Sequence, residues 1–300
     1  MQFLRFHTPL FQFSAFMGIF CGFYLIAAFL IFVLFPDQPI AETLASGELT
    51  RAQITQYKWM QLISALLTFL VPALIFNYLS APNPLRYAGV RRKTSIALIA
   101  LTLVLLTVSL PVVSTLGWLN EQIHFGNMHD QLVATEETQN KLMNAMLKME
   151  GPGDLMINLF LMALLPALAE ELFFRSTFQQ LMERTLKNPV AAVVSASLFF
   201  SLMHLTAFKF LPILAMGILL GTLFVLTRNI LYSIIFHFLF NGIQIVVQYV
   251  SQTHSIPGFD QSRQEIDFPV WVGAAGIIVI ILIFVFIRKE RGRWVSRDDY

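Results

Sequence analysis

Apolar residues run along this chain in long unbroken blocks rather than in alternation. Eight blocks stand out, at 13–35, 59–79, 96–116, 155–174, 190–205, 210–226, 230–250 and 270–287. A helix needs about 20 apolar residues to cross a hydrocarbon core about 30 Å thick, and most blocks are near that length. Strands of a membrane barrel would instead alternate over segments of about ten residues. The pattern therefore predicts an all-α, polytopic membrane helix bundle with about eight spans. The first block exceeds the roughly 7–15-residue core of a cleaved signal peptide, and no A-x-A-like site precedes Pro36. It is expected to stay as an anchor.

The polar connections set the expected orientation. With the N-terminus in the cytoplasm, 14 of the 20 Lys and Arg fall on the cytoplasmic side. They include Arg86, Arg91, Arg92 and Lys93 in one loop, and the tail that follows the last span. Such an excess marks the cytoplasmic face, so both termini are expected there. The tail also reads as a contact with anionic lipid. Segment 127–149 is polar with apolar Leu132, Leu142, Met146 and Met149, which predicts an outer amphipathic helix. Gly151-Pro152-Gly153 ends it, and Asp154 is the expected N-cap of the fourth span. The organisation reads as three N-terminal spans (1–126), an outer segment (127–153), a core (154–250), and an outer loop, final span and basic tail (251–300). No repeat or separate soluble domain is visible.

Composition narrows the class further. Hydrophobic residues make up 56% and charged residues 13%, with 29 Phe. A soluble domain carries about 25% charge, so both a soluble globule and a disordered chain are excluded. A formal net charge of +2, with no basic stripe among aromatics, excludes a nucleic-acid partner. Cys21 alone excludes a disulfide framework and a cysteine-based metal site. It reads as a plain apolar position.

Three spans carry polar residues that the others lack. They are Glu170, Glu171 and Arg175 in the fourth, Phe200 and His204 in the fifth, and His237 and Asn241 in the seventh. A charge at mid-bilayer costs about 2.5–3.5 kcal/mol, so these groups need partners or a wet cavity. Glu171 and Arg175 are four apart on one helix face, in the order that favours an ion pair. Glu170 points about 100° away and is left free. His237 and Asn241 share a face, and Phe200 lies one turn from His204, where it walls the imidazole. With a hairpin tip near Asn188, Glu170 and His204 are each about 25 Å from it and so level. They are expected to meet His237 in a pocket about 10 Å deep, facing the cytoplasm.

Such a set suits hydrolysis by an activated water. Glu170 is the candidate base, His204 its partner on the water, and His237 with Asn241 the donors to an oxyanion. The same Glu170, His204 and His237 also fit a catalytic zinc pattern with an open position, which leaves one divalent metal as an alternative cofactor. Two further readings compete. Intramembrane Glu and His build proton relays in transporters, although no inverted repeat or paired broken helices are present; Pro166 and Pro212 are isolated kinks. A buried polar network in a non-catalytic scaffold or immunity protein is the other.

The motifs Glu170-Glu171-x-x-x-Arg175, Phe200-x-x-x-His204 and His237-x-x-x-Asn241, in this order on three hydrophobic segments, resemble the CPBP family of CAAX type II prenyl endopeptidases and Abi bacteriocin-processing proteins. The resemblance implies an intramembrane endopeptidase. It puts water activation on Glu170 and His204 and oxyanion stabilisation on His237 and Asn241, with Glu171, Arg175 and Phe200 in support. Both metalloprotease and glutamate-type mechanisms have been ascribed to the family, and the metal-independent one is favoured here. Implied substrates are membrane-associated: an apolar or lipidated CAAX-like peptide or a peptide precursor. Compact members without an organelle signal look bacterial, so the expected location is a bacterial cytoplasmic membrane.

Overall fold

The fold is that of a computed structural model, which describes residues 3–36, 49–91, 94–254, 256, 259–260, 265–266, 268–290 and 292. Arg92, Lys93, Arg263 and the tail cations Arg291, Arg293 and Arg297 lie outside the described residues.

The described chain is an all-α bundle. Seven helices are long and apolar enough to cross a membrane: α1 Pro9–Leu34, α2 Arg51–Ser80, α3 Ile96–Glu121, α5 Pro152–Leu186, α7 Phe210–Thr227, α8 Ile230–Ser251 and α9 Val270–Lys289. Where the environment offers no water, helices satisfy every backbone group internally. The expected count of eight is approximate, because the fifth block forms a shorter helix. This is α6, Pro189–Met203, with 15 residues and a length of about 22 Å. It stops before the predicted end at 205, with His204 as its C-cap and Leu205 at φ +53°. The amphipathic α4, His129–Met146, lies between α3 and α5. A two-residue ladder pairs Phe259 with Ile266 and Asp260 with Glu265.

Turn chemistry explains the tight connections. Lys187 and Arg228 end α5 and α7 in the left-handed conformation. Each is followed by an Asn that caps the next helix: the Asn188 side chain accepts from the N–H of Val190 at 2.9 Å, and that of Asn229 from Leu231 at 3.1 Å. Pro189 then sits where its fixed φ suits a first turn. The cap of α5 differs from expectation. Gly151 is the N-cap and Pro152 the first helical residue. Asp154 falls inside the first turn, where its carboxylate accepts from the N–H of Glu150 at 2.9 Å.

The bundle has two chemically different ends. One holds the turns at 84–91, 187–189 and 227–230 and the C-terminal end of α9. There Arg91 Nε donates to the Arg228 carbonyl at 2.8 Å, and Ile230 N–H donates to the Gly89 carbonyl at 3.1 Å. The opposite end holds α4 and the turns at 204–209 and 252–254. There Asn120 bonds the Ala207 carbonyl at 2.9 Å and the Leu211 N–H at 2.7 Å.

Small residues bring the helices close, as in other membrane bundles. A Cβ at Gly217 of α7 would lie 2.9 Å from the Ser197 Cβ of α6. One at Gly273 of α9 would overlap the Thr115 side chain of α3. Phenylalanines fill the other half of the core. Phe173 meets Phe16 at 4.9 Å, Phe20 at 5.1 Å and Phe69 at 5.3 Å between ring centroids.

Candidate active site

α5 carries the site's carboxylates, and its backbone is widened on both sides of them. π-helical turns at Leu159–Leu164 and Leu172–Gln179 flank the α-helical stretch Leu165–Glu171. Pro166 explains the first. A proline within a helix removes an N–H and crowds the carbonyl four residues back, here that of Met162. Wider turns relieve that crowding, and they recur at functional positions. The same pairing occurs in α2, where the π turn Ala65–Leu70 precedes Pro72.

The carbonyls released by these turns become attachment points. The Leu165 N–H bonds the Phe160 carbonyl rather than that of Leu161. The Leu161 carbonyl instead accepts from Gln61 Nε2 at 3.3 Å. The Met162 carbonyl, which Pro166 cannot serve, accepts from Asn241 Nδ2 at 3.5 Å. Pro166 is thus tied to the site through the position of Asn241, a link that reading it as an isolated kink missed.

Glu171 and Arg175 are fully buried and paired, with Arg175 Nε donating to Glu171 Oε2 at 3.2 Å. The guanidinium lies 5.2 Å from the centre of the Phe200 ring, a cation–π contact. Glu171 has a second partner that helix spacing could not show. His237 Nδ1 lies 3.1 Å from Glu171 Oε1. A carboxylate only accepts, so Nδ1 carries the hydrogen and Glu171 fixes the ring. The other nitrogen, Nε2, is 3.9 Å from Glu170 Oε2.

His204 is fixed from its own helix. Its Nδ1 is 2.7 Å from the Phe200 carbonyl. That carbonyl also only accepts, so in the neutral ring Nε2 keeps the lone pair. Phe200 lies under the imidazole at 4.7 Å between centroids, as its spacing predicts. Leu205 holds a backbone conformation that costs a branched residue about 1–2 kcal/mol, directly beside this histidine.

Glu170, Phe200, His204, His237 and Asn241 line one cavity of about 400 Å³. Gln61, Ser114, Lys209, Gln244 and Phe268, which are not among the residues expected from the motifs, also line it. Polar Gln61 and Gln244 within apolar spans were the available signal. Lys209 is held by α4, with Nζ 3.0 Å from Asn140 Oδ1 and 3.6 Å from Glu136 Oε1.

The direction of the cavity differs from expectation. From His237 its wall climbs α8 through Asn241 and Gln244 to Val247, and α7 from Leu220 back to Lys209. Both paths lead away from the basic end and toward α4. Helix rise alone puts His204 in mid-span, level with Glu170. It lies instead on the terminal turn of a short helix, next to the turn that faces the opposite end.

Among the described residues, no three His, Cys, Asp or Glu side chains are grouped so as to hold a metal ion. His237 Nδ1 and His204 Nδ1 are both committed to protein oxygens, which leaves Nε2 as the open nitrogen of each ring.

Fold and site together define a polytopic membrane protein with a Glu/His/Asn cavity inside its helix bundle. Within that class, residues 152–243 match the family described as type II CAAX prenyl endopeptidase, Rce1-like. The match spans less than a third of the chain and contains all three motifs. A search of the curated proteins and of the solved structures finds no match.

Proposed function

We propose that the protein is an intramembrane endopeptidase that hydrolyses peptide bonds with a water activated by Glu170 and His204. The observation that carries this reading is that Glu170, His204, His237 and Asn241, from three separate helices, line one cavity. Water held between the Glu170 carboxylate and His204 Nε2 attacks the scissile carbonyl, and Glu170 takes its proton. The tetrahedral oxyanion is met by the Nε2–H of His237 and an N–H of Asn241. Because the Nδ1–H of His237 is committed to Glu171, donation from Nε2 requires the imidazolium. Collapse breaks the C–N bond, Glu170 passes its proton to the leaving amine, and the products are a carboxylate and an amine. No metal enters this scheme.

The cavity's apolar wall, which includes Met162, Phe200, Ile213, Met216 and Phe240, suits an apolar or lipidated peptide. Its course away from the basic end carries a consequence for access. If that end is cytoplasmic, by the Lys/Arg excess, substrate enters from the outer side, which favours a precursor or membrane-protein segment on that face over a cytoplasmic one.

A mass-spectrometric time course tests the proposal. Wild type and Glu170→Gln are run in parallel on apolar and farnesylated peptides, with and without chelator. Cleavage by wild type alone, insensitive to chelator, is expected. Loss of cleavage on chelation overturns the metal-independent scheme. Proton flux in liposomes without cleavage replaces the peptidase with a transporter.

A further inference from the structure

Three carboxamides line the Glu170 cavity: Gln61 of α2, and Asn241 and Gln244 of α8. Each ties its amino end to a backbone carbonyl. Gln61 Nε2 donates to Leu161 at 3.3 Å, Asn241 Nδ2 to Met162 at 3.5 Å and Gln244 Nε2 to Phe240 at 3.1 Å. A carbonyl only accepts, so in each case the nitrogen must face it and the oxygen is the free end. Among the described residues, no donor is bonded to Gln61 Oε1 or Gln244 Oε1. Asn241 has a part in the proposed hydrolysis, and the two glutamines have none. Neither glutamine falls within the residues 152–243 that match the family.

The bonds to the helices account for only half of each glutamine. Serving the Leu161 carbonyl, which the π turn releases, takes a donor and nothing more. The Phe240 carbonyl lies inside the regular helix α8 and has a backbone donor already. The acceptor ends are therefore not needed to hold the bundle together. Their placement follows the chemistry instead. Leu161 and Met162 are neighbours on one turn of α5, so Gln61 and Asn241 reach adjacent carbonyls from different helices. That puts the Gln61 carboxamide close to the donor expected to meet the oxyanion. Gln244 lies three residues beyond Asn241 on the same face of α8, on the way toward α4.

A peptide drawn into this cavity loses the water on its backbone. An N–H left unpaired against the apolar wall opposes binding. Gln61 and Gln244 offer such groups an acceptor without bringing a charge, whose burial would cost far more.

We propose that Gln61 and Gln244 form a subsite for the backbone N–H groups of an extended substrate, on the side of the cavity that leads toward α4. The inference rests on the reading of this cavity as a peptide site. Such a subsite reads backbone rather than side chain. It accepts varied apolar residues and rejects proline at the positions it serves, because proline has no N–H.

The test uses the full-length protein in detergent. The probes are a fluorescent apolar peptide and its depsipeptide series, in which one backbone N–H at a time is replaced by an ester oxygen. Binding is followed by anisotropy on Glu170→Gln, which is expected to hold the peptide without turning it over. Cleavage is followed by mass spectrometry with Glu170 intact. One ester is expected to weaken binding about tenfold. With Gln61→Met added to Glu170→Gln, that ester is expected to cost nothing, while the other esters cost what they did. A purely structural Gln61 would weaken every peptide alike. Gln244→Met is expected to remove the cost of a different ester. It carries the test alone should Gln61→Met not fold, since its side chain is exposed and bonds its own helix.

Loss of one ester's cost in either variant establishes the subsite. Equal costs in both variants and their parent overturn it, even where wild type cleaves the peptide and the peptidase reading stands. Coupling without cleavage keeps the subsite and removes the peptidase. A peptide that does not bind at all overturns the subsite as well.

Discussion

The two cavities of this protein sit in one bundle and solve opposite electrostatic problems. The cavity at Glu170 is mostly apolar, and its charged groups neutralise one another: Arg175 faces Glu171, and His237 lies between Glu171 and Glu170. The cavity at the basic end is lined by Arg86, Arg91, Arg184, Lys187 and Arg228, and its acid, Glu183, is paired with Arg228. A buried site must settle its charges internally, because an unpaired ion there costs several kcal/mol. Charges at a helix end meet water and ions, and are screened there. One cavity therefore holds its ionisable groups among apolar walls, and the other gathers cations where the helices end.

The sharpest way to break this contrast is to remove the free carboxylate. Glu170→Gln is expected to lower cleavage about 10²–10⁴-fold with an unchanged melting temperature, since Glu170 is not committed to Arg175. A peptide time course beside a thermal melt reads both, and an undiminished rate removes Glu170 as the base.

Glu171→Ala acts on charge neutralisation itself. It strands a fully buried Arg175 and releases His237, so a loss of about 3–5 kcal/mol is expected in denaturant midpoint, together with a loss of rate. If stability is untouched and only the rate falls, the ion pair is not what holds α5 in place. Asn241→Ala is next, with turnover lower by about 10²–10³-fold and normal expression. Equal turnover takes Asn241 out of the oxyanion role.

The smallest effect is expected at Leu205. Leu205→Gly relieves the left-handed backbone and is expected to raise stability by about 1 kcal/mol, while turnover falls as His204 loses its support. A variant that is both more stable and fully active shows that this strain has no part in the site.

Much of this was legible along the chain. Unbroken apolar blocks located the helices, since the length of a span is set by the bilayer. Helix periodicity paired Glu171 with Arg175 and placed Phe200 beneath His204, because residues four apart share a face in any α-helix. Three relations were not legible. The Glu171–His237 bond joins positions 66 residues apart, and no local period reports it. The capture of the Met162 carbonyl by Asn241 depends on how α8 lies against a π turn caused by Pro166.

The course of the Glu170 cavity is the third. By itself, the sequence determined that this chain is a membrane bundle and which polar side chains need partners inside it, because burial energetics and helical periodicity act along the chain. Only the tertiary structure decided which partners they take, toward which end the Glu170 cavity runs, and that five cations from three separate segments enclose another. Those outcomes depend on where α6 stops and how helices cross, and packing between distant segments sets both.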